Sequence, residues 1–225
     1  MGLCLLAAAA CGKLGTDLNA IVALDVSLPD SGRVEVGDTL VPRARALDGH
    51  GDSVAAMIVW ARLDTTVQVV DSFTGATVGL VGGQTGRLQA RVGNLRSNPL
   101  TLNVQSPLDS IVATAPLRST VTVSTPDSLS DSLRVQAYAT PANNALSLTG
   151  RPIAFTATIY SSGATTVTLV PRDTARTNTS GLAVVQVRLT GGPVPDSVVV
   201  TASARHQDGS LVPGSPVTFV VRFLP

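Results

Sequence analysis

Asp48-Gly49-His50-Gly51-Asp52 brings two carboxylates and an imidazole within one short segment. These residue types ligate a divalent cation when a turn curls around it. Calcium takes about six to eight oxygens, and this loop offers few. The same residues read more simply as a hairpin turn, with Gly49 and Gly51 at positive φ. Asp48, His50 and Asp52 are therefore weak metal candidates, and no cofactor is expected. The second histidine sits in Arg205-His206-Gln207-Asp208-Gly209, another turn-like segment. A site shared by His50 and His206 requires the two halves of the chain to fold back on each other. Other catalytic chemistry is poorly supplied: Glu35 is the sole Glu, Lys13 the sole Lys, and no Cys follows Cys11. Thiol and metal-assisted chemistry thus lack their usual groups. No serine stands in a G-x-S-x-G elbow, and Gly82-Gly83-Gln84-Thr85-Gly86 lacks the lysine of a phosphate loop. Asn178-Thr179-Ser180 spells a glycosylation sequon but reads, with Gly181, as a turn. The chain is expected not to be an enzyme, and hydrolysis at Asp48, His50 and Asp52 is its least poor catalytic form.

The elements that would position these residues are strands. Hydrophobic residues make up 44% of the 225 residues and aromatics 3%, so the cores are built from Val, Leu, Ile and Ala. Trp60, Phe155 and Phe219 are the large side chains expected inside them. A net charge of +1 with thinly spread charges leaves no basic stripe, and nucleic acid is not an expected partner. Short apolar runs broken by Gly, Pro, Asn and Asp recur along the chain, the rhythm of an all-β sandwich. In the first half, strands are predicted over 21–27, 33–36, 39–47, 55–61, 67–70, 76–81, 86–92 and 100–104. In the second they are predicted over 110–114, 120–124, 132–139, 152–159, 166–170, 182–189, 197–204 and 217–223. Alternation is plain where Leu133, Val135, Ala137 and Ala139 face one way and Arg134, Gln136 and Tyr138 the other. The Pro-rich approaches Gly192–Pro195 and Val212–Pro216 read as devices that blunt sheet edges, and Ser106-Pro107 as a stiff junction.

The N-terminus carries Leu3-Cys4-Leu5-Leu6-Ala7-Ala8-Ala9-Ala10 followed by Cys11. This arrangement resembles the lipobox of bacterial lipoproteins. The resemblance implies cleavage before Cys11 and acylation of its sulfur and new amino group, so that membrane lipid, through acylated Cys11, is one partner. Residues 1–10 would be signal peptide and 11–19 a lipidated tether. Ordinary secretion and an uncleaved apolar tail are the alternatives. With Cys4 removed and Cys11 acylated, the folded part would hold no thiol and no disulfide.

In the domain expected over residues 20–105, Val36-Gly37-Asp38-Thr39, Val59-Trp60, Val69, Gly75, Val78-Gly79, Gly83 and Gly86-Arg87-Leu88-Gln89-Ala90, spread over about Ile21 to Val104, resemble a bacterial Ig-like domain of group 2. Arg87, Leu88 and Gln89 depart from the family's alternation of small and apolar residues. In the domain expected over residues 106–225, Gly150-Arg151-Pro152-Ile153-Ala154-Phe155, Thr177-Asn178-Thr179-Ser180-Gly181-Leu182-Ala183 and Val217-Thr218-Phe219, within about Asp109 to Phe223, resemble the group 1, or invasin-type, Ig-like domain. The expected fold is all-β: two tandem immunoglobulin-like β-sandwiches behind a lipoprotein signal and tether. These resemblances imply a non-enzymatic, lipid-anchored protein of the bacterial cell envelope, on the periplasmic side or the cell surface. Its expected partners are other envelope or integral membrane proteins, and it would act as an accessory subunit of a larger membrane complex. A surface adhesion or glycan-binding module is the alternative.

Overall fold

The structure, a computed structural model, describes residues 17–123, 128–140 and 145–224. Cys11, the apolar run before it and Lys13 lie outside the described residues.

The fold is all-β. In the first half, Ile21–Ser27 pairs antiparallel with Arg43–Asp48, whose other edge carries Ser53–Val54. A five-stranded sheet runs in the order Leu95–Arg96, Gln84–Val92, Leu100–Gln105, Arg33–Glu35, and Val59–Arg62 also pairs with Gln84–Val92. Its pairing of Leu100–Gln105 with Arg33–Glu35 is parallel. Thr39–Leu40, Thr77–Gly79 and Val67–Val69 make a third sheet. These elements enclose one core of Val34, Leu40, Trp60, Val67, Leu88, Ala90, Leu102 and Val104. Gly86, Leu88 and Ala90 point inward while Arg87 is exposed and Gln89 half-buried, so the strand keeps its alternation where it departs from the family pattern.

The second half is a two-sheet sandwich. One sheet orders Leu108–Ala113, Leu133–Ala139, Leu182–Gly191 and Thr166–Val170, and the other Arg118–Thr122, Val217–Leu224, Ser197–Ala204, Pro152–Tyr160 and Thr174–Arg176. Arg118–Thr122 runs parallel to Val217–Leu224. Inward residues of both sheets form a single cluster that includes Leu133, Val135, Phe155, Val185, Val200 and Phe219. Period-two packing explains it: Leu133, Val135, Ala137 and Ala139 are buried, Arg134 and Tyr138 exposed. Among the described residues no strand of 21–105 pairs with a strand of 108–224, and the two cores are separate. No helix among them is long and apolar enough to cross a membrane.

The structure differs from the sequence reading at four elements. The strand predicted over 39–47 is two, Thr39–Leu40 and Arg43–Asp48, parted by Pro42, which has no N–H for a ladder. The run 55–61 pairs only from Val59 on, and Met57 is left 73% exposed. Thr174–Arg176 is a strand that its polar sequence hides, and Ala145–Leu148 is a single helical turn.

Candidate functional site

The residues singled out by composition separate. Trp60, Phe155 and Phe219 are buried at 4%, 2% and 0% exposure. Gly75, at φ +78°, lies against the indole of Trp60 so closely that a Cβ there would meet Cδ1 and Cγ at 2.8 Å. Asp48 closes its hairpin from within. Its Oδ1 accepts the backbone N–H of His50 at 2.9 Å and of Asp52 at 3.0 Å, and His50 Nδ1 lies 3.8 Å from its Oδ2. Burial acts to raise the Asp48 pKa, but the backbone N–H donors of Asp52 and His50 outweigh it and hold the carboxyl below its ordinary range. Of the two glycines only Gly51 takes positive φ, at +87°. Among the described residues no group of three or more His, Cys, Asp or Glu is placed to hold a metal ion. Asn178 Oδ1 accepts the N–H groups of Ser180 and Leu182, each at 3.0 Å, which makes 178–182 a tight turn.

The polar residues that do converge meet at the junction of the two halves. Arg33–Glu35 is the edge strand of its sheet and presents Glu35 toward the second half. Arg151 comes from the turn just before Pro152–Tyr160. Both are buried, at 5% and 4% exposure, and they form an ion pair through Arg151 Nη1 and Glu35 Oε1. Arg151 Nη2 donates to the Ser106 carbonyl, and its Nε donates to the Ser147 carbonyl at 2.8 Å. Burial pulls the Arg151 pKa down and Glu35 pushes it back up, while Arg33 adds like-charge repulsion. Such a pair is worth keeping only with its remaining donors satisfied, and here the two carbonyls give Nε and Nη2 of the guanidinium an acceptor each.

Further contacts surround the pair. The turn holding His206 and Gln207 is closed by His206 N–H to Ser210 O at 2.9 Å, and it reaches back to the first half. Glu35 N–H donates to Gln207 Oε1 at 3.1 Å, and His206 Nδ1 stands 3.5 Å from Glu35 Oε2. Gln105 Nε2 donates to the carbonyls of Leu146 and Thr149 at 3.0 and 2.9 Å. Ser106 N–H donates to Ser147 Oγ at 3.0 Å. At the rim, Arg176 and Asp30 pair at 2.9 Å with both side chains about half exposed. Asp38, nearby, is raised in pKa first by burial and then by the charges of Glu35 and Asp208. Beside the clasp lies a cleft of about 620 Å³, whose apolar wall includes Val34, Leu40, Val41 and Pro152 and whose polar lining includes Arg33, Arg205 and His206. His50 stays in its own turn and does not line this cleft.

Glu35 and the turn at His206 both stand out in the sequence, but no local pattern connects them. The available signal was a lone carboxylate, Glu35, between Val34 and Val36 in an apolar strand, since a buried charge demands a partner.

No protein-family model matches the sequence, and no curated protein matches it. Similar solved structures include domains 4 and 5 of the S-layer protein SbsC, at 14% identity over 91% of this chain and 99% of that chain, with a TM-score of 0.33. The D00-D0 domain of intimin is similar at 18% identity over 87% of this chain and 98% of that chain, with a TM-score of 0.28. Fibronectin(III)-like modules of Clostridium thermocellum CbhA are similar at 11% identity over 88% of this chain and 94% of that chain, with a TM-score of 0.40. Likeness at this level names neither a partner nor an activity.

Proposed function

We propose that this chain is a non-enzymatic, lipid-anchored component of the bacterial cell envelope that braces a larger membrane assembly through protein contacts. The observation that carries this reading is the buried clasp of Glu35 and Arg151, with Ser106, Ser147 and Gln207 around it. A clasp of this kind holds two sandwiches at one angle, which a brace needs and a flexible tether of modules does not. The resemblance of the segment ending at Cys11 to a lipobox supplies the anchor, and two or more acyl chains would make it stable. Sandwich loops and edges would then meet the partner.

A surface adhesion or glycan-binding module is the second reading, and the junction cleft is the place for its ligand. Among the described residues no Phe, Tyr or Trp lines that cleft, and aromatic side chains are the usual stacking platform for a sugar face.

The experiment is gentle detergent extraction of native membranes, size separation, and mass spectrometry of the peptide that begins at Cys11. The brace reading predicts an acylated chain that migrates with a large membrane assembly. A free acylated monomer would favour the binding module, and an unmodified Cys11 would remove the anchor from both.

A further inference from the structure

The strand Pro152–Tyr160 has one fully paired side and one side that is only half used. Toward Ser197–Ala204 every residue from Ile153 to Tyr160 is paired. Toward Thr174–Arg176 the ladder covers only Pro152 to Ala154, and Phe155 N–H then donates to the Asp173 carbonyl at 2.6 Å. Backbone groups alternate in direction along a strand. Those of Ala157 and Ile159 therefore point the same way as Phe155, outward, where no strand among the described residues meets them.

The side chains show the same gap. Ala157 lies opposite Val200 and Ile159 opposite Val198, and directly paired residues share a face. Val198 and Val200 are fully buried, so that face is the core face. Yet Ala157 is exposed and Ile159 is 36% exposed. The sandwich is open there, as it is where a strand is missing.

Three other edges of this half are protected. Pro213 O accepts the Ile111 N–H at 2.9 Å and covers Leu108–Ala113. Arg118–Thr122 carries a charge, and Ser119 on it is tied to Asp131. Thr166–Val170 has an irregular register at its start. From Pro152 to Val170, by contrast, the chain holds no charged residue, and Thr156–Tyr160 has neither the proline nor the bulge that keeps edges apart.

We infer that Thr156–Tyr160 is a docking edge for a second copy of this chain, joined by antiparallel strand pairing about a two-fold axis through Thr158. Register follows from the outward backbone groups. Ala157 of each copy faces Ile159 of the other as a hydrogen-bonded pair, and the two Thr158 residues meet between them as a non-hydrogen-bonded pair. On the core face a small residue meets a large one, Ala157 against Ile159, and each Ile159 gains cover. On the outer face Thr156 meets Tyr160, and Thr158 meets its own copy. A two-fold axis sets every residue near its equivalents, so any charge at the centre would repel itself. The absence of charge here permits a copy of the same chain, where a charged edge would select a different partner. The pairing is independent of the anchor and of the brace reading.

The test uses the full chain with Cys4→Ser and Cys11→Ser, which removes native thiols and acylation. Sedimentation equilibrium from micromolar to submillimolar concentration should show a monomer–dimer equilibrium. Thr158→Lys places two ammonium groups against each other at the axis on an exposed site, and it should weaken association by roughly tenfold or more with an unchanged circular dichroism spectrum. A second variant fixes the register. Thr158→Cys should form an intermolecular disulfide under mild oxidation, because non-hydrogen-bonded pairs have Cα atoms about 4.5 Å apart. Thr156→Cys should not, since its two copies would stand roughly 13 Å apart. A monomer at every concentration would overturn the proposal. So would a dimer indifferent to Thr158→Lys, or cross-linking at 156 as readily as at 158.

Discussion

At the scale of single residues, the junction carries energies as large as those of the cores. Arg151→Met strips Glu35 of its counter-charge in a buried setting, and removing one member of such a pair costs about 3–5 kcal/mol. Urea unfolding should show that loss, and adding Glu35→Gln to Arg151→Met should recover part of it. Recovery would be absent if the arginine acted only through its aliphatic stem. Two aspartates respond to pH in opposite senses. The folded Asp48 carboxyl lies below its ordinary range, so its stabilising contribution is present above the unfolded pKa and is lost as pH falls through the folded one. Asp38 is raised, so its ionisation opposes folding as pH rises through its ordinary range. Asp48→Asn should therefore lower the urea midpoint at neutral pH and have little effect in acid. Asp38→Asn should raise the neutral midpoint and likewise have little effect in acid. Midpoints for both variants across that range check the signs.

At the scale of elements, the best-read parts of the chain are short apolar and β-branched runs with turn formers beside them. Ile21–Ser27, Thr166–Val170 and Ser197–Ala204 appear with the bounds read from sequence, because each is such a run, rich in Val, Ile, Leu, Ala and Thr. Gln84–Val92 begins two residues earlier than periodicity suggests, since its polar start is held by pairing with Leu100–Gln105 rather than by burial. The clasp was not legible as a site. Glu35 and Arg151 are 116 residues apart, and no local period encodes which turn of one half will meet which strand of the other. Trp60 shows the opposite case, a core residue whose surroundings the sequence nearly names. Gly75→Ala should cost about 1–3 kcal/mol, because its Cβ would strike the indole and its φ is positive. Trp60→Ala should cost about 3–5 kcal/mol. Thermal unfolding of the two variants checks both, and equal stability of Gly75→Ala with the parent would mean that the indole moves aside freely.

At the scale of the whole molecule, two separate cores are made into one unit by a small number of buried polar contacts. Domains joined by polar junctions move relative to each other by default, so the proposed bracing role depends on the clasp to keep the two halves from hinging. An open edge at Thr156–Tyr160 adds a second level, in which the unit would pair with its copy. The most direct measurement places spin labels at exposed Gln68→Cys and Thr218→Cys, one on each half, in the chain with Cys4→Ser and Cys11→Ser, and records their distance distribution by pulsed electron resonance. Carrying Thr158→Lys in the same chain keeps any dimer from adding distances of its own. One narrow distance is expected, broadened by Arg151→Met while the circular dichroism spectrum stays unchanged. A broad distribution before that substitution, or a narrow one that survives it, would contradict the account.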